Sequence, residues 1–207
     1  MIKCEKKVYG NYKYLIYYPK DFDPKKKYPL FFHLHGSGGR GVNFEGFKGS
    51  NIIKLLDEGN SPLNRCVSII PQCSNDTWFV DLNGIINFLK EMLKLPFIDT
   101  KRVTGSGISM GGYGIYQVMM NVPHLFNKAF VCCGGGMYWN ACKMKDIKFR
   151  IFHGEQDIAV FPEESRRMYA RLKEANADVT LTIYPECDHN CWDKAYLNED
   201  NLNWIVD

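Results

Sequence analysis

A chain of 207 residues, 24% charged and 45% hydrophobic, is long enough for one substantial core and has the composition of a folded domain, which excludes a disordered or collagen-like chain. Its formal charge of +3 is small and its Lys and Arg are dispersed, which argues against a nucleic-acid partner; the densest basic run, Lys25 to Lys27, lies between Pro24 and Pro29 and reads as a solvated turn. No stretch approaches the roughly 20 apolar residues of a membrane span, and the opening MIKCEKKVYGNYKYLIYY holds no apolar core of signal-peptide length, so the expectation is a cytoplasmic, single-domain protein over residues 1–207 with no membrane partner, a secreted form with a removed signal staying open.

In chain order, runs rich in β-branched and aromatic residues fall at 12–19, 28–35, 66–72, 102–109, 128–135, 147–154 and 179–185. The middle ones are nearly continuously apolar, as strands buried on both faces are. The opening pair, separated by Gly10 and Asn11, reads as an antiparallel hairpin at one edge. Between the runs lie helical patterns. Leu82, Ile85, Ile86, Leu89, Met92 and Leu93 draw one apolar stripe from about 81 to 95, and Ile115, Val118, Met119 and Val122 draw another after a glycine cluster. Pro162, followed by Glu163 and Glu164, opens a third helix that turns Met168 and Leu172 inward, and Leu202, Ile205 and Val206 end the chain in a short helix. Strands alternating with helices give an α/β class: a mostly parallel sheet with helices on both faces.

The segment GISMGG, residues 107–112, places Ser109 between glycines, after one apolar strand and before a helix. That is the context in which G-x-S-x-G holds a nucleophile on a tight turn; a serine capping a helix explains the position but not three glycines. A serine hydroxyl needs a base. Of the five histidines, His33 and His153 fall in buried runs, His35 ends one, and His124 follows Pro123 at a helix end. His189 lies in the polar loop YPECDHNCWDKAY after the last strand and is the best base. Asp157, ending HGEQD at the end of a strand, is the expected acid, with Glu155 as competitor; Asp188 adjoins His189 and diverges from it. Ser37 N–H, in the glycine-rich HLHGSGGRG, and Met110 N–H, directly after the nucleophile, are the expected oxyanion donors. A phosphate-binding loop is the rival for those glycines, but G-x-x-x-x-G-K-[ST] is absent. The eight cysteines include no CxxC pair; Cys187, His189 and Cys191 lack the second ligand pair of a strong zinc signal, so no metal is expected.

The ordered motifs LHGSGGRG, IIPQCSNDTW, DTKRVTGSGISMGGYG, FHGEQDIAVFPEESR and CDHNCWDKAY resemble those of α/β-hydrolases, in the group of predicted peptidases, polyhydroxybutyrate depolymerase-like esterases and feruloyl esterases of carbohydrate esterase family 1, from about residue 28 onward. The resemblance implies an α/β-hydrolase fold, with Ser109, Asp157 and His189 as the triad and Ser37 and Met110 as the oxyanion donors. It also sets Gln72 and Trp78 near the site mouth, where Trp78 and Trp192 either wall the substrate or pack the loops. It implies no cofactor, and a substrate that is a small or polysaccharide-linked ester, feruloyl or acetyl first, with a peptidase or a non-catalytic receptor as rival readings. Only GGMYWNACKMKD separates the strand before the acid-bearing one, leaving no room for a sizeable cap, so the site is expected to be shallow and open.

Overall fold

The computed structural model describes residues 3–207; Met1 and Ile2, which the expected domain includes, lie outside the described residues. Eight strands form one sheet: β1 (Cys4–Tyr9), β2 (Tyr12–Tyr17), β3 (Tyr28–Leu34), β4 (Val67–Pro71), β5 (Ile98–Ile108), β6 (Lys128–Cys132), β7 (Lys148–Gly154) and β8 (Val179–Tyr184). Their order is β1-β2-β4-β3-β5-β6-β7-β8. The β1–β2 hairpin is antiparallel, as is its seam with β4, and every pairing from β4 to β8 is parallel. The hairpin at one edge and the parallel body both match the sequence pattern.

Among the described residues six α-helices cover the sheet: α1 (Asn51–Glu58), α2 (Leu82–Met92), α3 (Met110–Asn121), α4 (Glu163–Glu174), α5 (Trp192–Leu197) and α6 (Glu199–Val206). The alternation of side chains along each strand explains the two cores. On β3, Leu30, Phe32 and Leu34 face a core shared with α2, α3 and α4, while Phe31 faces a second core shared with α1, α5 and α6. The apolar runs were continuous because both faces are covered.

Two differences from the sequence expectations have local causes. Strand β5 starts at Ile98, ahead of the run at 102, because Ile98 pairs with Tyr28 before the register shifts. Helices α1 and α5 carry no expectation from the sequence; the six residues of α5 are too few for a periodic stripe. Between β6 and β7 lies only a 3₁₀ stretch, Tyr138–Met144, so no cap domain stands over the sheet there. Among the described residues no helix is long and apolar enough to cross a membrane.

Candidate active site

Ser109 stands between the end of β5 and the first turn of α3 with φ 53° and ψ −120°, a conformation costly for a residue with a side chain. Glycines make it feasible. A Cβ on Gly107 would run into the Gly111 carbonyl, and one on Gly111 into the Leu34 carbonyl, so strand, helix and β3 meet more closely than larger residues permit. The turn is then held from behind: Ser109 N–H donates to the Cys132 carbonyl at 2.9 Å, and Tyr113 N–H donates to the Ser109 carbonyl at 3.1 Å.

His189 completes the pair. Its Nε2 lies 2.8 Å from Ser109 Oγ, and its Nδ1 lies 2.6 Å from Asp157 Oδ2. With Nδ1–H donating to the carboxylate, Nε2 is left as the acceptor for the serine proton. Asp157 is buried, yet each of its oxygens is satisfied: Oδ1 accepts from the Ala159 and Val160 N–H groups, both at 2.9 Å, and Oδ2 accepts from His189 and from His153 Nε2 at 3.1 Å. Burial alone would raise its pKa, but the His189 hydrogen bond and the two amides outweigh burial and hold the carboxyl below its ordinary range. The turn carrying Asp157 is stapled to the loop carrying His189, since Glu155 N–H donates to the Tyr184 carbonyl and Gln156 N–H to the Cys187 carbonyl, both at 2.9 Å.

The two amides expected to receive an oxyanion are free of protein acceptors among the described residues. Met110 N–H opens α3, where no intrahelical partner exists and the helix dipole favours negative charge. Ser37 follows Gly36, whose Cβ position would sit 3.6 Å from Ser109 Cβ. His35 aims this peptide: its Nε2 accepts from Cys73 N–H at 3.0 Å, so Nδ1 carries the proton and donates to the Gly36 carbonyl at 2.6 Å. The peptide is planar and trans, so fixing that carbonyl toward His35 turns the Ser37 N–H the opposite way.

Gln72 and Trp78 are corrected here. Neither lines the cavity beside Ser109. Gln72 is 1% exposed; its Oε1 accepts from Phe44 N–H at 3.0 Å and its Nε2 donates to the Gly39 carbonyl at 3.2 Å, which pins the glycine-rich loop. Trp78 is 2% exposed, donates its indole N–H to the His35 carbonyl at 3.0 Å, and packs on Gly114. A buried indole finds its partner in the scaffold, leaving no face for a substrate. Trp192 differs: it lines the cavity and stands edge-on to His189, ring centres 5.3 Å apart.

The rival residues fall elsewhere. Glu155 pairs with Arg166 on the surface, and the exposed Asp188 accepts from Asn190 N–H. Cys187 Sγ meets Asn190 and Cys191 Sγ meets the Phe152 carbonyl, while His189 turns to Ser109, so Cys187, His189 and Cys191 do not converge. Cys133 instead lies beside the pair, with its Sγ within 4.8 Å of ligand atoms of Asp157 and His189. No pair of the eight cysteines is bridged. Sequence reasoning missed His153, buried on β7, whose Nε2 also faces the Val160 carbonyl at 2.8 Å; the spacing of four to Asp157 across a turn was the available signal.

The mouth is open where a cap is absent, but beside Ser109 a cavity of about 320 Å³ runs between the sheet and the helices of the second core. Ile52, Ile70, Ile108, Phe47 and Trp192 give it apolar walls, Lys48, Ser50 and Asn51 add polar ones, and the buried His33 borders it.

No family model matches the chain. Among curated proteins it is 21% identical to the inactive dipeptidyl peptidase 10 of Rattus norvegicus, over 86% of this chain and 27% of that protein. It is 25% identical to feruloyl esterase B of Piromyces equi, over 72% of this chain and 30% of that protein. The chain spans between 11% and 35% of the length of six curated relatives it matches. Among solved structures, a thermostable esterase superposes with a TM-score of 0.83 at 30% identity, covering 99% of this chain and 62% of that one.

Proposed function

We propose that this chain, an α/β-hydrolase by its fold, is a serine carboxylic-ester hydrolase that works through an acyl-enzyme. The observation that carries the reading is one continuous row: a serine on a strained turn, an imidazole 2.8 Å from its hydroxyl, and a carboxylate 2.6 Å behind the imidazole. In the reaction, His189 takes the Ser109 proton as Oγ attacks the ester carbonyl. The Met110 and Ser37 N–H groups receive the developing oxyanion, and protonated His189 returns the proton to the leaving alcohol. Water then repeats the attack on the acyl-serine, with His189 again as base. Every step uses this chain's own groups.

Feruloyl, cinnamoyl or acetyl esters of plant polysaccharide are the first substrates of this reading. Its support is the open mouth, which admits a bulky alcohol, the apolar cavity, which suits an acyl arm, and the name of the Piromyces relative. A peptidase of the same fold is the second reading, favoured by the rat relative's kinship with dipeptidyl peptidases. That relative is an inactive one, so a binding protein on the same fold is the third. Labelling with a fluorophosphonate separates the third from the others: the esterase reading expects modification of Ser109 in the wild type and none in Ser109→Ala. Turnover of methyl ferulate, acetylated xylan, short p-nitrophenyl esters and a peptide anilide then separates the first two, and cleavage of the anilide alone contradicts the esterase.

A further inference from the structure

Below the nucleophile lies a second polar row that the proposed reaction does not use. His33 on β3, Ser106 on β5 and Tyr196 on α5 are 2%, 0% and 1% exposed. His33 Nδ1 lies 3.1 Å from Ser106 Oγ, and Ser106 Oγ is hydrogen-bonded to the Tyr196 hydroxyl. Phe31 stacks on one side of the imidazole and Tyr196 meets it edge-on.

Counting protons gives the row a direction. Tyr196 has Ser106 as its one hydrogen-bond partner among the described residues, so its proton is used only if it donates to Ser106. Ser106 then spends its own proton on His33 Nδ1. The reverse direction strands a buried phenolic proton, at the cost of an unmade hydrogen bond. Burial, aided by the charge of nearby His35, pushes His33 down to about 3, so the ring is neutral and carries its one proton on the remaining nitrogen, Nε2.

Among the described residues that Nε2–H has no acceptor. It is not sealed away either, since the Tyr116 hydroxyl is the one fully buried side-chain polar atom without a partner among the described residues. The space that His33 borders is the cavity beside Ser109. A cavity walled on one side by Ile52, Ile70, Ile108, Phe47 and Trp192 thus carries a neutral donor on its buried His33, placed to meet whatever group of the ester is seated there.

We propose that His33 Nε2–H is a specificity-determining donor of this cavity, selecting esters whose seated arm carries a neutral oxygen acceptor over esters whose arm is pure hydrocarbon. The inference rests on the esterase reading for its substrates and on the buried row for its chemistry. A hydrocarbon arm leaves the donor unpaired against apolar walls, whereas an ether, phenol or carbonyl oxygen pairs it.

The test uses matched esters that exchange one CH₂ for O. The p-nitrophenyl esters of methoxyacetic, 3-methoxypropionic and 4-methoxybutyric acid are compared with those of butyric, pentanoic and hexanoic acid, and 2-methoxyethyl acetate with butyl acetate. The oxygen-to-carbon ratio of kcat/KM, at the pair whose oxygen reaches His33, is expected to fall about fivefold to tenfold in His33→Phe. Ser106→Ala, which frees the imidazole tautomer while leaving the ring in place, is expected to move the ratio the same way by less. A ratio unchanged at every pair in a folded His33→Phe, or in Ser106→Ala if His33→Phe does not fold, overturns the proposal. If no ester turns over at all, the esterase reading fails by itself. The same pairs are then titrated by NMR into Ser109→Ala with and without His33→Phe, where a preference for oxygen that requires His33 supports the donor and no such preference overturns it.

Discussion

The loop after β4 and the loop after β8 each carry a tryptophan and polar side chains at the same end of the sheet, yet they do opposite things. After β4, Gln72 and Trp78 are buried and spend their hydrogen bonds on the Gly39, Phe44 and His35 backbone. After β8, His189 and Trp192 face the cavity, and His189 spends its bonds on Ser109 and Asp157. On the proposed reading, the difference teaches that the first loop is scaffold and the second is machinery. Polar groups satisfied by backbone fix a shape, while polar groups satisfied by other titratable side chains are poised to exchange protons.

The largest expected effect breaks the machinery alone. Ser109→Ala should lower kcat on p-nitrophenyl acetate by about four to six orders of magnitude, with unfolding by urea little changed, since alanine keeps the Cβ and the strained turn and removes only the hydroxyl that meets His189. Next, the two tryptophans should separate by readout. Trp78→Ala empties a buried site and should cost about 3–5 kcal/mol in urea unfolding. Trp192→Ala should leave most of that stability and change KM instead, because its ring borders the cavity. Equal stability losses in the two variants would erase the distinction between the loops.

Gln72→Ala leaves the Phe44 N–H and Gly39 carbonyl unpaired, at about 1–3 kcal/mol for each group that water does not reach, and should lower kcat more than it raises KM by loosening the loop that bears Ser37. Acid should attack the same scaffold. Burial first, with Arg40 adding to it against the opposing Gly36 hydrogen bond, lowers His35 to about 4. Between the unfolded value of about 6.5 and that folded value, the unfolded chain binds a proton that the folded chain does not, so stability is full above the window and falls as pH drops through it. His35 should contribute about 2 kcal/mol of loss between pH 7 and 5, and His35→Gln should remove that part of the slope in urea titrations at the two pH values.

Much of this was legible in the sequence, for physical reasons. Continuous apolar runs announce strands covered on both faces, and Ser109 announces itself because a tight turn demands glycines within two residues of it. Asp157 and His189 were legible by position, each directly after a strand. What was not legible depends on partners far away in the chain. Trp78 becomes scaffold only when its indole meets the His35 carbonyl, 43 residues earlier. His153 read as one more buried strand residue until the turn after β7 folded Asp157 back onto it. The cavity was hidden for a related reason: the absence of a cap described the mouth, whereas the walls include Ile52 of α1 and Trp192 of α5, which only the tertiary fold brings beside Ser109.

The measurement that bears most directly on the account is acid quenching during turnover of p-nitrophenyl acetate, followed by mass mapping of the peptide containing residues 107–112. The account predicts an acetyl group on Ser109 in the wild type, formed with a burst of p-nitrophenol and absent in His189→Ala. Steady turnover with Ser109 never acetylated, or acetylation undiminished without His189, would contradict it.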